Sequence, residues 1–352
     1  MSNNPNPDTL WYTRCSIPTP LGLGAQLGWY KQEFAADGIT IKSLQESNDP
    51  VEQASHFEHS LPHSFRLGGA VPPIWARAKG TETRVIGISW IDEYQAIIAL
   101  PESGIRTPEN LRGRKLGLPA SSKRKDSVDV ARATALRGLL LALELGELEH
   151  KDAEWIDVAS RRDVQQDIQA PDTQVRRRRA HSYTDTALAL VRGEVDAIYV
   201  NDVRGAETAH LLGAKVVADL GFHPDPHFHI NNSTPRPLTV NEQTLREHPD
   251  LVRRFLARIR EVDGWARQNP AEAVRQIAQE TNWTESWVRF AYGEKVHQSL
   301  AVDLSERSIA GLTEYKDFLL KWGFIENDFS IKDWIDAGPL LAVTSEGQAK
   351  AA

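Results

Sequence analysis

The fold is decided by the stretch TPENLRGRKLGLP at residues 107–119. Pro108 stands at the first position of a one-turn helix, which Gly113 ends. Residues 115–118 then predict a buried strand. Helices and strands continue to alternate after it, with helices over about 127–146 and 187–192 and strands at 155–158, 195–200 and 215–220. This alternation predicts an α/β protein.

The regions on either side of this stretch predict a larger, two-lobed molecule. Before it, the pattern predicts a helix over 21–34 and strands at 39–41, 85–90 and 95–100, whereas 43–69 is polar and typical of loops. From about 241 the chain is predicted to be mainly helical. We therefore expect two α/β lobes with a central cleft and a helical C-terminal region. The expected division is 1–104 for the first part of lobe one, 105–205 for lobe two, 206–345 for the return to lobe one with the C-terminal helices, and 346–352 for a disordered tail.

Composition excludes several functional classes. The chain has 352 residues, a formal net charge of −7 and one cysteine. A single cysteine excludes an internal disulfide framework and a multi-cysteine zinc site, and the negative charge argues against nucleic-acid binding. There is no run of 18 apolar residues and no apolar, basic start, so we expect neither a membrane span nor an export signal, and a cytoplasmic location. The charged segment 160–183, with its arginine run at 176–179, is predicted to be either an insertion or a lid.

The only cysteine lies where a functional group would be exposed. The apolar residues 10–12 predict a strand, and Pro18 and Pro20 prevent its continuation, so Cys15 follows a strand end. A lone cysteine is more often a small buried apolar residue than a reactive one. His56 and the segment Arg66-Leu-Gly-Gly69 favour the second interpretation, because they could provide a base and an anion clamp.

These residue types suit a small oxyanion. A guanidinium such as that of Arg66 can bind two oxygens at once, and glycines at 68 and 69 let backbone amides approach an anion. A free thiol has a pKa of about 8.5, so a neighbouring His56 could accept the Cys15 proton. Considered without the other two residues, Arg66 could equally form a surface ion pair. In the same way, His56 could be an ordinary loop histidine.

Three histidines close in sequence raise the question of a metal site. His56, His59 and His63 have spacings that suit one helical face, but Pro62 interrupts the helix and no carboxylate motif accompanies them. We expect no metal and no cofactor.

Several segments resemble the type II periplasmic binding proteins, in particular the branch that carries sulfonates, nitrate and taurine. The resemblance lies in residues 107–117, in RGEVDAI at 192–198 and in HPDLVRRF at 248–255. It implies the two-lobed periplasmic-binding-protein-like type II fold but leaves the function open.

A narrower resemblance lies in the first 75 residues. DTLWYTRCSIP at 8–18, SHF at 55–57 and FRLGGAVPP at 65–73 resemble the 2'-hydroxybiphenyl-2-sulfinate desulfinase family of dibenzothiophene desulfurisation. The resemblance implies hydrolysis of the carbon–sulfur bond of an aryl sulfinate, with release of sulfite. The catalytic residues it implies are Cys15, His56 and Arg66, and the substrate-binding residues are Gly68, Gly69, Phe57, Thr13, Trp11 and Tyr183. Residues 127–138 contain no aromatic side chain where the family has a pocket tryptophan, and the aryl group stays open.

Two mechanisms remain open at this point. Either the Cys15 thiolate attacks the sulfinate sulfur, or the Cys15 thiol protonates the ring carbon while Arg66 holds the departing group and His56 activates water. The expected partners are the aryl sulfinate and water, with no nucleic acid or membrane, and we expect a monomer. The competing class is a non-catalytic solute-binding protein for a sulfonate; an enzyme of thiamine-pyrimidine synthesis, which would need a cysteine cluster, is disfavoured by the single cysteine.

Overall fold

A computed structural model describes residues 6–13, 15, 17–121, 128–159 and 183–351, with side chains as far as 345. The chain divides into two compact units. Unit 1 consists of residues 1–91, 232–289 and 293–352, and unit 2 consists of residues 92–231 and 290–292.

Unit 1 contains a six-stranded sheet of order β11-β4-β10-β3-β1-β2. Its strands are β1 Thr9–Thr13, β2 Thr40–Ser43, β3 Ser64–Leu67, β4 Thr83–Ser89, β10 Arg236–Asn241 and β11 Val302–Asp303. β1 is parallel to β2 and β3, and β10 is antiparallel to both β3 and β4. β1 to β4 therefore all run in one direction, and their carboxyl ends lie at the same edge of the sheet.

Helices pack against this sheet, and apolar side chains of both form the core of unit 1. The helices before unit 2 are α1 Pro20–Gln26, α2 Trp29–Phe34, α3 Pro50–Glu58 and α4 Val71–Ala78. The C-terminal helices are α8 Glu242–Glu247, α9 Pro249–Gln268, α10 Pro270–Thr281, α11 Glu285–Tyr292, α12 Glu306–Lys321, α13 Ile331–Trp334 and α14 Gly338–Ala351, and the last three residues of α11 belong to unit 2. Phe255 of α9 stacks on Phe65 of β3 and Tyr30 of α2, with ring centroids 4.0 and 4.4 Å apart. All three rings are buried, so their stacking stabilises the packing of β3 against α2 and α9.

Unit 2 contains a five-stranded sheet of order β7-β6-β8-β5-β9. Its strands are β5 Gln95–Ala99, β6 Lys115–Pro119, β7 Glu154–Val158, β8 Ala197–Asn201 and β9 Lys215–Asp219, and its described helices are α5 Val130–Leu145, α6 Thr184–Val191 and α7 Asp202–Leu211. The opening stretch of the sequence supplies β6, which is parallel to β7 and β8.

The chain crosses between the units at other places than the sequence indicates. The expected boundaries were 104/105 and 205/206, whereas the units divide at 91/92 and 231/232. The reason is β5, which is hydrogen-bonded to β8 on one side and β9 on the other and so belongs to the second sheet. The C-terminal end also differs, because α14 extends to Ala351 where a disordered tail was expected.

The prediction of loops over 43–69 is wrong. This segment contains α3 and β3, which carry His56 and Arg66 respectively. α3 begins with the Asp49 side chain accepting a hydrogen bond from the N–H of Val51, and Pro50 occupies its first position. Only Ser55 of α3 is fully buried, so the helix lacks the apolar periodicity by which a sequence reveals a helix.

Two sequence expectations concern the rest of the chain. Among the described residues, no helix is long and apolar enough to cross a membrane. The lid or insertion at 160–183, with its arginine run, lies outside the described residues except for Tyr183.

Candidate functional site

The site lies at the edge where the parallel strands β1 and β3 end. Thr13, the last residue of β1, is paired with Arg66 of β3. Cys15 follows β1 by two residues, and Gly68 and Gly69 directly follow β3. Because neighbouring parallel strands bring their carboxyl ends together, segments that are fifty residues apart in sequence meet here.

The Cys15 sulfur packs directly against the turn after β3. A Cβ atom placed on Gly68 would lie 2.5 Å from Cys15 Sγ, so only glycine leaves room for the sulfur at this position. The backbone N–H of Gly69 faces the sulfur as a hydrogen-bond donor. The structure thus brings together three of the residues that the sequence singled out.

Burial keeps Cys15 protonated. Desolvation raises the pKa of the Cys15 thiol above its usual value, and this outweighs the lowering effect of Arg66, Arg236 and the Gly69 amide. Glu280 adds a further increase. Arg66 lowers the pKa as expected for a neighbouring cation, but the effect of burial is larger. The site at neutral pH therefore holds a thiol.

Arg66 is a buried cation with unused hydrogen-bonding capacity. Its side chain lies on β3, and the residue is 2% exposed. Nε donates to the carbonyl oxygen of His56 at 3.3 Å, whereas Nη1 has no hydrogen-bond partner among the described residues. Burial lowers the pKa of Arg66 to about 10, against the opposing effect of Cys15, so the group stays charged at neutral pH. A buried charge with an unsatisfied donor is costly, and an anionic ligand would offset that cost.

His56 is a neutral imidazole whose tautomer follows from its partners. The Ser43 hydroxyl donates to Gln45 Oε1 at 3.1 Å, so the Gln45 amide nitrogen faces His56 Nδ1, at 3.2 Å. Nδ1 accepts, and the ring hydrogen is assigned to Nε2. Burial, with a smaller effect of the Arg66 charge, lowers the pKa of His56 to about 3. His56 is therefore a hydrogen-bond donor that stays uncharged above that pH.

The described contacts connect His56 to the site through Arg66. The last turn of α3 supplies both the His56 ring and the carbonyl oxygen that holds the guanidinium. The neighbouring Phe57 ring packs edge-on against His56, with centroids 4.7 Å apart, and is 41% exposed. One helical turn thus places an imidazole, an exposed aromatic ring and an arginine anchor side by side.

The remaining expected binding residues lie in two places. Thr13 is buried opposite Arg66, and the Trp11 ring has the Lys42 ammonium at 5.4 Å from its centroid. Tyr183 belongs to unit 2, where its hydroxyl lies 2.5 Å from Asn201 Oδ1 and accepts the Asn201 N–H at 2.8 Å. Thr13 thus lies beside Arg66, while Tyr183 is held by the end of β8.

The three histidines have separate partners. His59 Nε2 lies 3.2 Å from the Ser64 carbonyl oxygen, and its Nδ1 lies 3.2 Å from Thr239 Oγ1. His63 lies against Thr244 and the ring of His248. Within the part of the chain that the structure describes, no group of three or more histidine, cysteine, aspartate or glutamate side chains is arranged to hold a metal ion.

Residues more than 200 positions later complete the surroundings of Cys15. Arg236 is fully buried and donates from Nη1 to the Pro18 carbonyl oxygen at 2.9 Å. Glu280 is 6% exposed and lies beside Gly22 of α1. Asn232 contacts the turn that contains Gly69. No local motif marks these three residues, because their roles depend on how β10 and α10 pack against the first part of the chain.

The two sheets and their helices form an α/β fold like that of the type II periplasmic binding proteins, as the sequence predicts. The structure of the periplasmic aliphatic sulphonate-binding protein SsuA from Escherichia coli has a TM-score of 0.62 and 16% identity, and covers 94% of this chain and 92% of its own. No protein-family model matches the chain.

Greater similarity is found to particular desulfinases. The chain is 26% identical to 2'-hydroxybiphenyl-2-sulfinate desulfinase of Rhodococcus erythropolis over 93% of its length and 91% of that protein. A crystal structure of a Cys-to-Ser mutant of DszB in complex with biphenyl-2-sulfinic acid has a TM-score of 0.75 and 24% identity, and covers 96% of this chain and 99% of its own. The resemblance noted in the first 75 residues is confirmed and extends over nearly the whole chain.

Proposed function

We propose that the protein is a cofactor-independent desulfinase that hydrolyses the carbon–sulfur bond of an aryl sulfinate to give the arene and sulfite. One observation carries the proposal: Cys15, whose pKa is raised by burial, lies beside a buried Arg66 whose Nη1 has no partner among the described residues. The similarity to sulfinate desulfinases supports the same substrate class.

Arg66 is proposed to bind the sulfinate. A planar guanidinium matches two anionic oxygens, and burial strengthens the attraction because little water screens it. The turn after β3 offers a second donor, since Gly68 and Gly69 have no side chain to block an approaching oxygen. The exposed Phe57 ring beside His56 is proposed to contact the aryl group.

Of the two mechanisms open from sequence, the protonation states favour Cys15 as the acid. The S–H bond breaks and its proton goes to the ring carbon that carries the sulfur, while the electron pair of the carbon–sulfur bond stays on that carbon. Sulfur dioxide leaves and takes up water to give bisulfite, and the proton released returns to the thiolate. A thiol whose pKa is raised is present as the acid at neutral pH.

The same step transfers negative charge from the sulfinate to the Cys15 sulfur. The Arg66 cation favours the thiolate form of Cys15, as its lowering effect on the Cys15 pKa indicates. The same guanidinium can therefore stabilise the sulfinate before the transfer and the thiolate after it. The Gly69 amide supports the thiolate in the same way. His56, with its hydrogen on Nε2, is proposed to orient the water that hydrates sulfur dioxide.

Mass spectrometry of the quenched reaction separates the two mechanisms. If Cys15 is the acid, the peptide that carries it keeps the mass of the free thiol throughout turnover. If Cys15 is the nucleophile, that peptide gains the mass of sulfur dioxide. Because the chain has one cysteine, the assignment of such an adduct is unambiguous.

The function is tested with a panel of aryl and alkyl sulfinates and a measurement of sulfite. We expect sulfite from aryl sulfinates, with biphenyl-2-sulfinate as the first member to try, and weak binding of the matching sulfonates. Failure to release sulfite from any member, together with tight sulfonate binding by calorimetry, would instead identify a solute-binding protein. We also propose that the protein is located in the cytoplasm, because a reducing compartment protects a reactive thiol from oxidation. We propose further that it is a monomer.

A further inference from the structure

The side chain of Asn232 occupies the space beside Gly69. A Cβ atom placed on Gly69 would lie 2.6 Å from Asn232 Nδ2 and 2.7 Å from Oδ1. Any side chain at position 69 would therefore displace the Asn232 amide. The close contact joins a residue just before β10 to the turn that faces Cys15.

Asn232 also binds the two residues that follow Gly69. The backbone carbonyl oxygen of Asn232 accepts the Ala70 N–H at 2.6 Å, and the side-chain Oδ1 accepts the Val71 N–H at 2.9 Å. The next two residues of α4, Pro72 and Pro73, have no N–H, so Val71 carries the only N–H among the first three positions of the helix. Ala70 has no side chain that could cap it. Asn232 provides from a distant segment what a capping residue normally provides locally.

We propose that Asn232 is a positioning residue: it fixes the Gly69–Val71 turn so that the Gly69 N–H is directed at the Cys15 sulfur. Three consecutive residues of the turn are held by one asparagine, through packing at Gly69 and hydrogen bonds at the next two. Removal of the side chain keeps the backbone hydrogen bond to Ala70 but removes the packing at Gly69 and the hydrogen bond to Val71. The turn then loosens, and the sulfur loses a donor that stabilises its thiolate. The effect on turnover rests on the proposed function, but the effect on the thiol does not.

The thiol is tested by alkylation of Cys15 with iodoacetamide as a function of pH, followed by mass spectrometry. The charged groups that act on this sulfur are Arg66 of β3, Arg236 of β10 and Glu280 of α10, and all remain in the Asn232→Ala variant. We expect the midpoint of alkylation to move to higher pH and kcat for sulfite release to fall about tenfold. The matched control is Asn241→Ala, which loses hydrogen bonds to Ser64 and His59 at the opposite end of β3.

A double-mutant cycle tests the contact itself. Gly69→Ala is expected to shift the alkylation midpoint strongly in the wild-type background and less in the Asn232→Ala background, where the added methyl group has room. An alkylation profile of Asn232→Ala that coincides with that of Asn241→Ala, at equal thermal stability, would overturn the proposal. So would equal effects of Gly69→Ala in both backgrounds. If alkylation shifts as expected but no sulfinate is turned over, the positioning role stands and the proposed function fails.

Discussion

At the scale of single residues, the three candidate catalytic residues are one cation, Arg66, and two neutral groups, Cys15 and His56. Arg66 keeps its charge, while burial raises the pKa of Cys15 and lowers that of His56 to about 3. Between pH 5 and 8 an anion therefore meets a guanidinium, a thiol and an uncharged imidazole. These charge states suit a monoanionic substrate and the proposed donation of a proton by the Cys15 thiol.

The geometry of the guanidinium is as important as its charge. Arg66→Lys keeps a cation but loses the planar pair of donors, so we expect kcat/KM for sulfite release to fall about 100-fold. Arg84→Lys is the matched control, because Arg84 of β4 lies outside the candidate site and forms an ion pair with Glu242 of α8 at 2.9 Å. An Arg66→Lys enzyme that keeps kcat/KM within about threefold would show that a point charge suffices and that two-oxygen binding is not required.

At the scale of elements, the turn between β3 and α4 decides whether the sulfur fits. Gly68→Ala would place a methyl group 2.5 Å from Cys15 Sγ, so we expect sulfite release to fall about 100-fold or more. Gly87→Ala in β4 is the control, since its Cβ would lie 2.3 Å from Val302 Cγ1 in the core of unit 1. The control should lower the melting temperature and leave kcat nearly unchanged. Loss of activity in proportion to stability for both variants would argue against a specific role of the turn.

The end of α3 makes stability depend on pH. His59 is buried there, and burial lowers its pKa from 6.5 to about 4. As the pH falls from 6.5 to 4, His59 takes up a proton in the unfolded chain but not in the folded one. The free energy of unfolding therefore decreases over this range. At pH 5 this amounts to on the order of 2 kcal/mol.

Urea unfolding at pH 7 and pH 5 measures this contribution. We expect His59→Gln to have a smaller loss of stability between the two pH values than the wild type, and the exposed His150→Gln to behave like the wild type. An unchanged pH dependence in His59→Gln would mean that other groups account for it.

At the scale of the whole molecule, the sequence revealed the fold class and much of the site, but not every element. The stretch at 107–119, the helices after 241 and the strand end before Cys15 could be predicted because local capping, periodicity and proline positions suffice. β10 could not, because Pro237 argues against an inner strand. In the structure, pairing with β3 begins only at Leu238, so the proline faces β4 alone.

The same limit applies to the candidate site. Cys15, His56 and Arg66 could be picked out because their residue types suit one chemistry. Asn232, Arg236 and Glu280 could not, since their proximity depends on strand order and helix packing rather than on spacing. The protonation states also required the structure, because burial outweighs the charge effects that the sequence suggests.

In the proposed mechanism, the Cys15 thiol donates the proton that releases sulfite from an aryl sulfinate. The decisive measurement is the rate at which the wild type and Cys15→Ser, at equal concentration, form sulfite from biphenyl-2-sulfinate. A serine hydroxyl is a far weaker acid, so we expect sulfite release by the wild type and a decrease of about 1000-fold or more in the variant, with substrate binding retained through Arg66. Sulfite release by Cys15→Ser at a rate close to that of the wild type would show that the reaction does not need the Cys15 proton.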